Sequence, residues 1–284
     1  MLSRVDAHNS SATREEAILR DGAGGWLQWP MARSDAALRL FCFHPAGVGA
    51  SVYRQWGFGL PSSVEVAAVQ LPGRANRLRE PPVANIPLLV DALVSKLAPH
   101  FEGRFAFFGH SMGAVLAHEL AHALRNRGLP SPSHLILSGR KAPTVPNRFP
   151  PLSHLPDHVF VAEINSRYGG IAPEILQHKD ILDLLLPCLR ADIAALENFA
   201  VPARAPLDIP IAVFGGASDR QTAVEDLEPW AKETTAGVDV RIFPGGHFYL
   251  EALRDRVLAE VVGILQPRGT SAGSLPPPSR LKPK

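Results

Sequence analysis

A mainly parallel α/β sheet with helices on both faces, interrupted by a helical insertion, is the fold class the sequence predicts. Three observations lead to it. Short apolar, β-rich runs recur at 38–43, 64–70, 105–108, 135–137, 211–214 and 238–243. Helix-like segments at 86–97, 112–126, 227–233 and 248–265 fall between or after them. An interval of about seventy residues, between the runs at 135 and 211, holds no strand signal and is too long for a plain loop.

Several of the runs are continuously apolar, the pattern of strands buried on both faces. Strands that alternate with helices need crossovers, hence parallel pairing and two helical layers. The long interval carries helical patterns at 157–168 and 174–199, with Phe160, Ile164, Ile181, Leu185, Leu189 and Ile193 among its apolar positions. Pro187 is expected to kink or split the second helix. We read this interval, about 145–205, as a lid inserted into one domain spanning 25–266. Residues 1–24 read as a mobile N-terminal extension, and the Pro-rich residues 267–284 as a disordered tail.

Composition narrows the function. Of 284 residues, 46% are hydrophobic, enough for a large core, and the formal charge is only +2. A basic stripe of the kind that binds nucleic acid is not seen. Two cysteines, Cys42 and Cys188, cannot form a disulfide framework and suit a reducing compartment. The N-terminus lacks the apolar run of a signal peptide, and no stretch is apolar for the length of a membrane span. A cytoplasmic protein without membrane attachment is expected.

The segment Phe105-Ala106-Phe107-Phe108-Gly109-His110-Ser111-Met112-Gly113 joins a strand, a G-x-S-x-G turn and a helix. That context marks the nucleophile turn of the α/β-hydrolase fold. The turn lifts the Ser111 hydroxyl above the sheet and aims the Met112 amide at a forming oxyanion. A serine needs a base, and in this fold an acid and then a histidine follow it along the chain. His247, after the last strand and two glycines, is the candidate base. Asp219, just past the strand at 211–214, is the candidate orienting acid. Asp208 precedes that strand, Asp226 lies further on, and Asp239 opens the last strand, so each is less well placed. The second oxyanion donor is expected in the loop after the strand at 38–43, where Pro45 has no N–H and Ala46 does.

With these motifs placed, the chain resembles the type II thioesterases that accompany polyketide synthases and nonribosomal peptide synthetases. The likeness runs from about Leu38 to Leu265. It rests on 50–56, on Gln70-Leu71-Pro72-Gly73-Arg74, on Gly109 to Gly113, on Ser138-Gly139-Arg140, on Leu189-Arg190-Ala191-Asp192 and on Gly245 to Leu250. The resemblance implies a triad of Ser111, Asp219 and His247. It also implies hydrolysis of acyl groups from the phosphopantetheine arm of an acyl or peptidyl carrier protein, clearing stalled or misprimed chains. No cofactor or metal is implied. One departure is clear: the family's Phe-Pro-His-Ala-Gly-Gly loop here reads Phe43-His44-Pro45-Ala46-Gly47-Val48.

Product release or cyclisation by the same chemistry is a second reading, and a carrier-binding module with a vestigial site a third. The sequence sets no oligomeric state and leans only slightly to a monomer. His118-Glu119-Leu120-Ala121-His122 fits the H-E-x-x-H zinc signature, but no third ligand follows at the expected spacing. Gly47-Val48-Gly49 lacks the third glycine of a dinucleotide fingerprint. Arg74, Arg77, Arg79, Arg140 and Lys141 could steer an acidic carrier or form a solvated basic face. Arg190 and Asp192 could pair to brace the lid or face the chamber.

Overall fold

A computed structural model describes residues 25–171 and 173–266. The expected extension at 1–24 and tail at 267–284 lie outside the described residues. Seven strands form one sheet: β1 (Leu27–Gln28), β2 (Leu38–Phe43), β3 (Val64–Val69), β4 (Phe105–His110), β5 (Leu135–Ser138), β6 (Ile211–Gly216) and β7 (Val238–Phe243). Their order is β1-β3-β2-β4-β5-β6-β7. All pairings are parallel except β1 with β3, which is antiparallel. The helices are α1 (Trp56–Gly59), α2 (Ile86–Leu97), α3 (Met112–Asn126), α4 (Asp157–Tyr168), α5 (Pro173–Gln177), α6 (Lys179–Glu197), α7 (Tyr249–Ala252) and α8 (Arg254–Leu265).

Alternation along the strands explains the two helical layers. Phe41, Phe43, Phe105 and Phe107 point to one face and pack with Leu89 and Leu93 of α2 and Leu116 and Leu120 of α3. Leu40, Cys42, Ala106 and Phe108 point to the other and pack with Val257, Leu258 and Val261 of α8. A strand covered on both faces is apolar at successive positions, which is how β4 reads from Phe105 to Phe108. Fully burying one such phenylalanine contributes about 1.5–3 kcal/mol.

Sequence and structure differ at four places. β1 is two residues long and gives no periodicity to read. The segment at 227–233 is not an α-helix but a pair of 3₁₀ turns, Val224–Asp226 and Glu228–Lys232. The final helix breaks at Leu253 into α7 and α8. The long lid-region helix breaks at His178, whose backbone is extended, and not at Pro187, which lies inside α6. Pro187 is exposed. The Asp183 carbonyl that loses its donor there is on a wet face, so water can take the missing bond and the helix continues.

The insertion between β5 and β6 has its own small core of Leu152, Phe160, Ile164, Leu186 and Ile193, against which Ala46 and Leu189 pack. It therefore rests on the loop that follows β2.

Candidate active site

In register, His110 pairs with Ser138, Ser138 with Phe214 and Gly216 with Phe243. The loops after β4, β6 and β7 thus leave the sheet at one carboxyl edge, where open α/β sheets place their sites. Those loops carry Ser111, Asp219 and His247.

Ser111 sits at φ 55 and ψ −112, one of two non-glycine residues with positive φ among the described residues. A β-carbon on Gly109 would overlap the Gly113 carbonyl, and one on Gly113 would overlap the Phe43 carbonyl. Only glycine lets the turn close on itself and against β2, and this closure holds the strained serine in place. Met112 opens α3, where the first amides have no partner within the helix.

Asp219 Oδ2 accepts a 2.7 Å hydrogen bond from His247 Nδ1. Its other oxygen accepts from the amides of Gln221 (2.9 Å) and Thr222 (3.3 Å). A carboxylate with this load stays put and only accepts, so the His247 proton sits on Nδ1 and the lone pair on Nε2. His247 Nε2 is buried with no hydrogen-bond partner. Three rings enclose the imidazole: Tyr168 and Phe248 at 5.1 Å and His110 at 5.0 Å. Tyr168 comes from α4, so the insertion shields the base from water. Behind it, His110 Nδ1 meets Ser138 Oγ at 2.9 Å and Ser138 Oγ meets the Tyr249 hydroxyl at 2.5 Å.

Ser111, His247 and Ala46 line one cavity of about 350 Å³. Its far wall is apolar, built from Ile164, Ile171, Leu182, Leu186 and Leu189 of the insertion. The structure thus brings the sequence-predicted serine, histidine and Ala46 to one chamber, with Asp219 behind the histidine and Met112 beside the serine.

The sequence reading missed the link between chamber and insertion. Asp192 of α6 is fully buried; its Oδ2 accepts from the Gly47 amide at 2.8 Å, the residue after Ala46. Arg74 closes a bidentate pair with the same carboxylate at 2.6 and 2.9 Å and also donates to the Val48 carbonyl. Gly47 has φ 77, and a β-carbon there would strike Leu189. Asp192 therefore does not pair with Arg190. Arg190 binds the carbonyls of Ser153 and Leu155 and the Asp157 carboxylate, inside the insertion.

Nor are Arg74 and Arg77 available to steer a partner. Arg77 is buried, donates to Glu80 and to the Gln70 carbonyl, and lies 3.9 Å from the Trp26 ring. Arg79 is exposed, while Arg140 and Lys141 are half-buried and Lys141 bonds the Val145 carbonyl.

His44, the residue exchanged with proline, is 1% exposed and its Nδ1 bonds the Pro45 carbonyl at 2.8 Å. Burial, then the charge of Arg74, pushes its pKa down to about 3, against the Pro45 bond. The unfolded chain takes up this proton below about pH 6.5, the folded one only near pH 3. The stability from neutral His44 is thus complete above pH 6.5 and drains as pH falls. Between about pH 7.5 and pH 5, the protein should lose about 2 kcal/mol more unfolding free energy than His44→Asn. Urea melts at the two pH values measure this; equal losses in the two proteins would contradict it.

A mostly parallel sheet with a serine turn after β4 and an Asp–His pair on later loops defines an α/β hydrolase. A thioesterase-domain family model matches residues 38–267, and the chain belongs to that family. The gramicidin S biosynthesis protein GrsT of Aneurinibacillus migulanus is 38% identical over 226 residues, covering 79% of this chain and 88% of the relative. Among solved structures, RedJ, a thioesterase from the prodiginine pathway in Streptomyces coelicolor, is 38% identical with a TM-score of 0.77. That match covers 82% of this chain and 92% of RedJ. BorB, a type II thioesterase from the borrelidin cluster, is 31% identical with a TM-score of 0.78, covering 85% of this chain and 98% of BorB. The type II resemblance read from the sequence is borne out.

Proposed function

We propose that this thioesterase hydrolyses acyl groups from the phosphopantetheine arm of acyl or peptidyl carrier proteins, an editing step in polyketide or nonribosomal peptide assembly. One observation carries the reading: an Asp219-oriented His247 presents a bare Nε2 in the chamber that Ser111 also lines. Its apolar far wall suits an acyl chain. In the reaction, His247 Nε2 takes the Ser111 proton as Oγ attacks the thioester carbonyl. The amides of Ala46 and Met112 hold the oxyanion. The C–S bond breaks, His247 protonates the departing thiolate, and an acyl-serine remains. A water deprotonated by His247 then attacks that ester, and the proton returns to Ser111 as the acid leaves.

The relatives named for antibiotic pathways support a carrier-protein partner. The insertion acts as a lid, supported by Tyr168 over His247 and by the apolar wall it supplies. Cys42 and Cys188 are free and buried, which suits a cytoplasmic enzyme. Among the described residues no helix is long and apolar enough to cross a membrane. A timed panel of acyl-loaded carriers tests the editing role. Short, aberrant acyl groups should be released faster than a full-length product; release of the full-length chain alone would overturn it.

A further inference from the structure

Helix α3 carries the H-E-x-x-H segment, and its two histidines are not idle. His118 and His122 are each 1% exposed. Their Nε2 atoms lie 3.3 Å apart. Glu233, the residue that ends the second 3₁₀ turn, brings Oε2 to 3.6 Å from His118 Nε2. All three atoms lie within 4.8 Å of one another. A tetrahedral Zn²⁺ with bonds near 2.0–2.2 Å holds its ligand atoms about 3.3–3.5 Å apart. Two of the three edges, at 3.3 and 3.6 Å, sit close to that spacing. The third ligand that sequence spacing failed to supply comes from a distant turn.

Hydrogen bonding shows why the cluster invites a cation. Arg125 donates to His122 Nδ1 at 3.1 Å, so His122 carries its proton on Nε2 and gives it to His118 Nε2. With that donation the His118 proton sits on Nδ1, between Glu119 Oε1 at 3.5 Å and the donor Arg204 Nη2 at 3.4 Å; with the Arg204 contact satisfied instead, it sits on Nε2. In the first case the Glu233 oxygen faces a nitrogen lone pair, acceptor against acceptor; in the second the two Nε2–H groups face each other, donor against donor. A divalent cation between them turns that repulsion into coordination.

We propose that His118, His122 and Glu233 form a site for a divalent first-row cation, with Zn²⁺ the best match to two imidazoles and one carboxylate. Loading moves the His122 proton from Nε2 to Nδ1 with no net change, and Arg125 falls back on the Ala205 and Pro206 carbonyls it already holds. Glu119 orients His118 from behind, the carboxylate–histidine–metal arrangement. Arg204 grips Glu119 at 2.5 and 2.6 Å, so this glutamate is not free to serve as a base. The site is structural: it ties the helix that begins beside Ser111 to the turns that follow the Asp219 loop. A bound water would complete the four-coordinate shell.

The test uses the full chain, stripped with a chelator and titrated with Zn²⁺ against a chromophoric competitor, and with Co²⁺ read by its visible spectrum. One equivalent should bind, Co²⁺ should give the intense bands of a tetrahedral site, and the melting temperature should rise. Glu233→Gln and His122→Ala should lose the stoichiometric site, and Glu119→Gln should weaken it about tenfold to a hundredfold. If a histidine variant fails to fold, the wild-type Co²⁺ spectrum and Glu233→Gln still decide. No stoichiometric binding by the wild type, an octahedral-type spectrum, or binding unchanged in Glu233→Gln would overturn the proposal.

Discussion

Ser111→Ala should lower kcat for acyl release by on the order of 10⁴–10⁶ while leaving the fold intact. The size follows from what is lost. Without Oγ there is no covalent intermediate, and His247 has no hydroxyl to deprotonate. What survives is binding and the oxyanion amides. The fold should hold because the turn is set by Gly109 and Gly113 against backbone carbonyls. Alanine keeps the same β-carbon at φ 55, so it adds no new strain. Circular dichroism and thermal melts check the fold; quenched assays on a loaded carrier check the rate. A variant retaining even a tenth of wild-type kcat would show that another group attacks the thioester.

Asp192→Asn should damage both stability and turnover. The substitution leaves the Arg74 guanidinium buried with no counter-charge, which costs about 3–5 kcal/mol. For a chain of this size that lowers the melting temperature by on the order of 10 °C. The Gly47 amide also loses a carboxylate acceptor, and the Ala46 amide beside it loses its fixed aim. Misplacing one oxyanion donor costs up to about 10²–10³ in kcat. KM for a short thioester should change little, since the donor acts on charge that develops in the transition state. The double variant Arg74→Met with Asp192→Leu separates the two effects. It removes both charges and should recover most of the stability, because a buried pair replaced by apolar side chains is often neutral. It should not recover kcat, because leucine leaves the Gly47 amide with no side-chain acceptor at all. Recovery of both would reduce Asp192 to a packing role.

The contrast between these residues shows what the sequence could carry. Ser111, Asp219 and His247 were legible because each sits just past a strand, and strands announce themselves by apolar runs. The run at 38–43 matches β2 end to end for the same reason, and the run at 238–243 matches β7 end to end through its alternation of apolar and charged residues. Asp192 was not legible as a positioning residue. Its partners, Arg74 and Gly47, lie far away in sequence, and the nearer Arg190 offered a more obvious pairing. Only the packing of α6 onto the loop after β2 brings them together. Arg77 misled for a similar reason: a basic residue near a strand end reads as surface, yet Trp26 and Gln70 bury it. Pro187 misled because a proline's effect depends on which face of the helix it occupies, and periodicity near a break left that face open.

The central claim is that Ser111 is the nucleophile and that His247, held by Asp219, activates it. A fluorophosphonate probe followed by peptide mapping tests it most directly. One adduct should form, on the peptide bearing Ser111, and His247→Ala should slow its formation by orders of magnitude. An adduct elsewhere, no adduct, or labelling at an undiminished rate in His247→Ala would contradict the account.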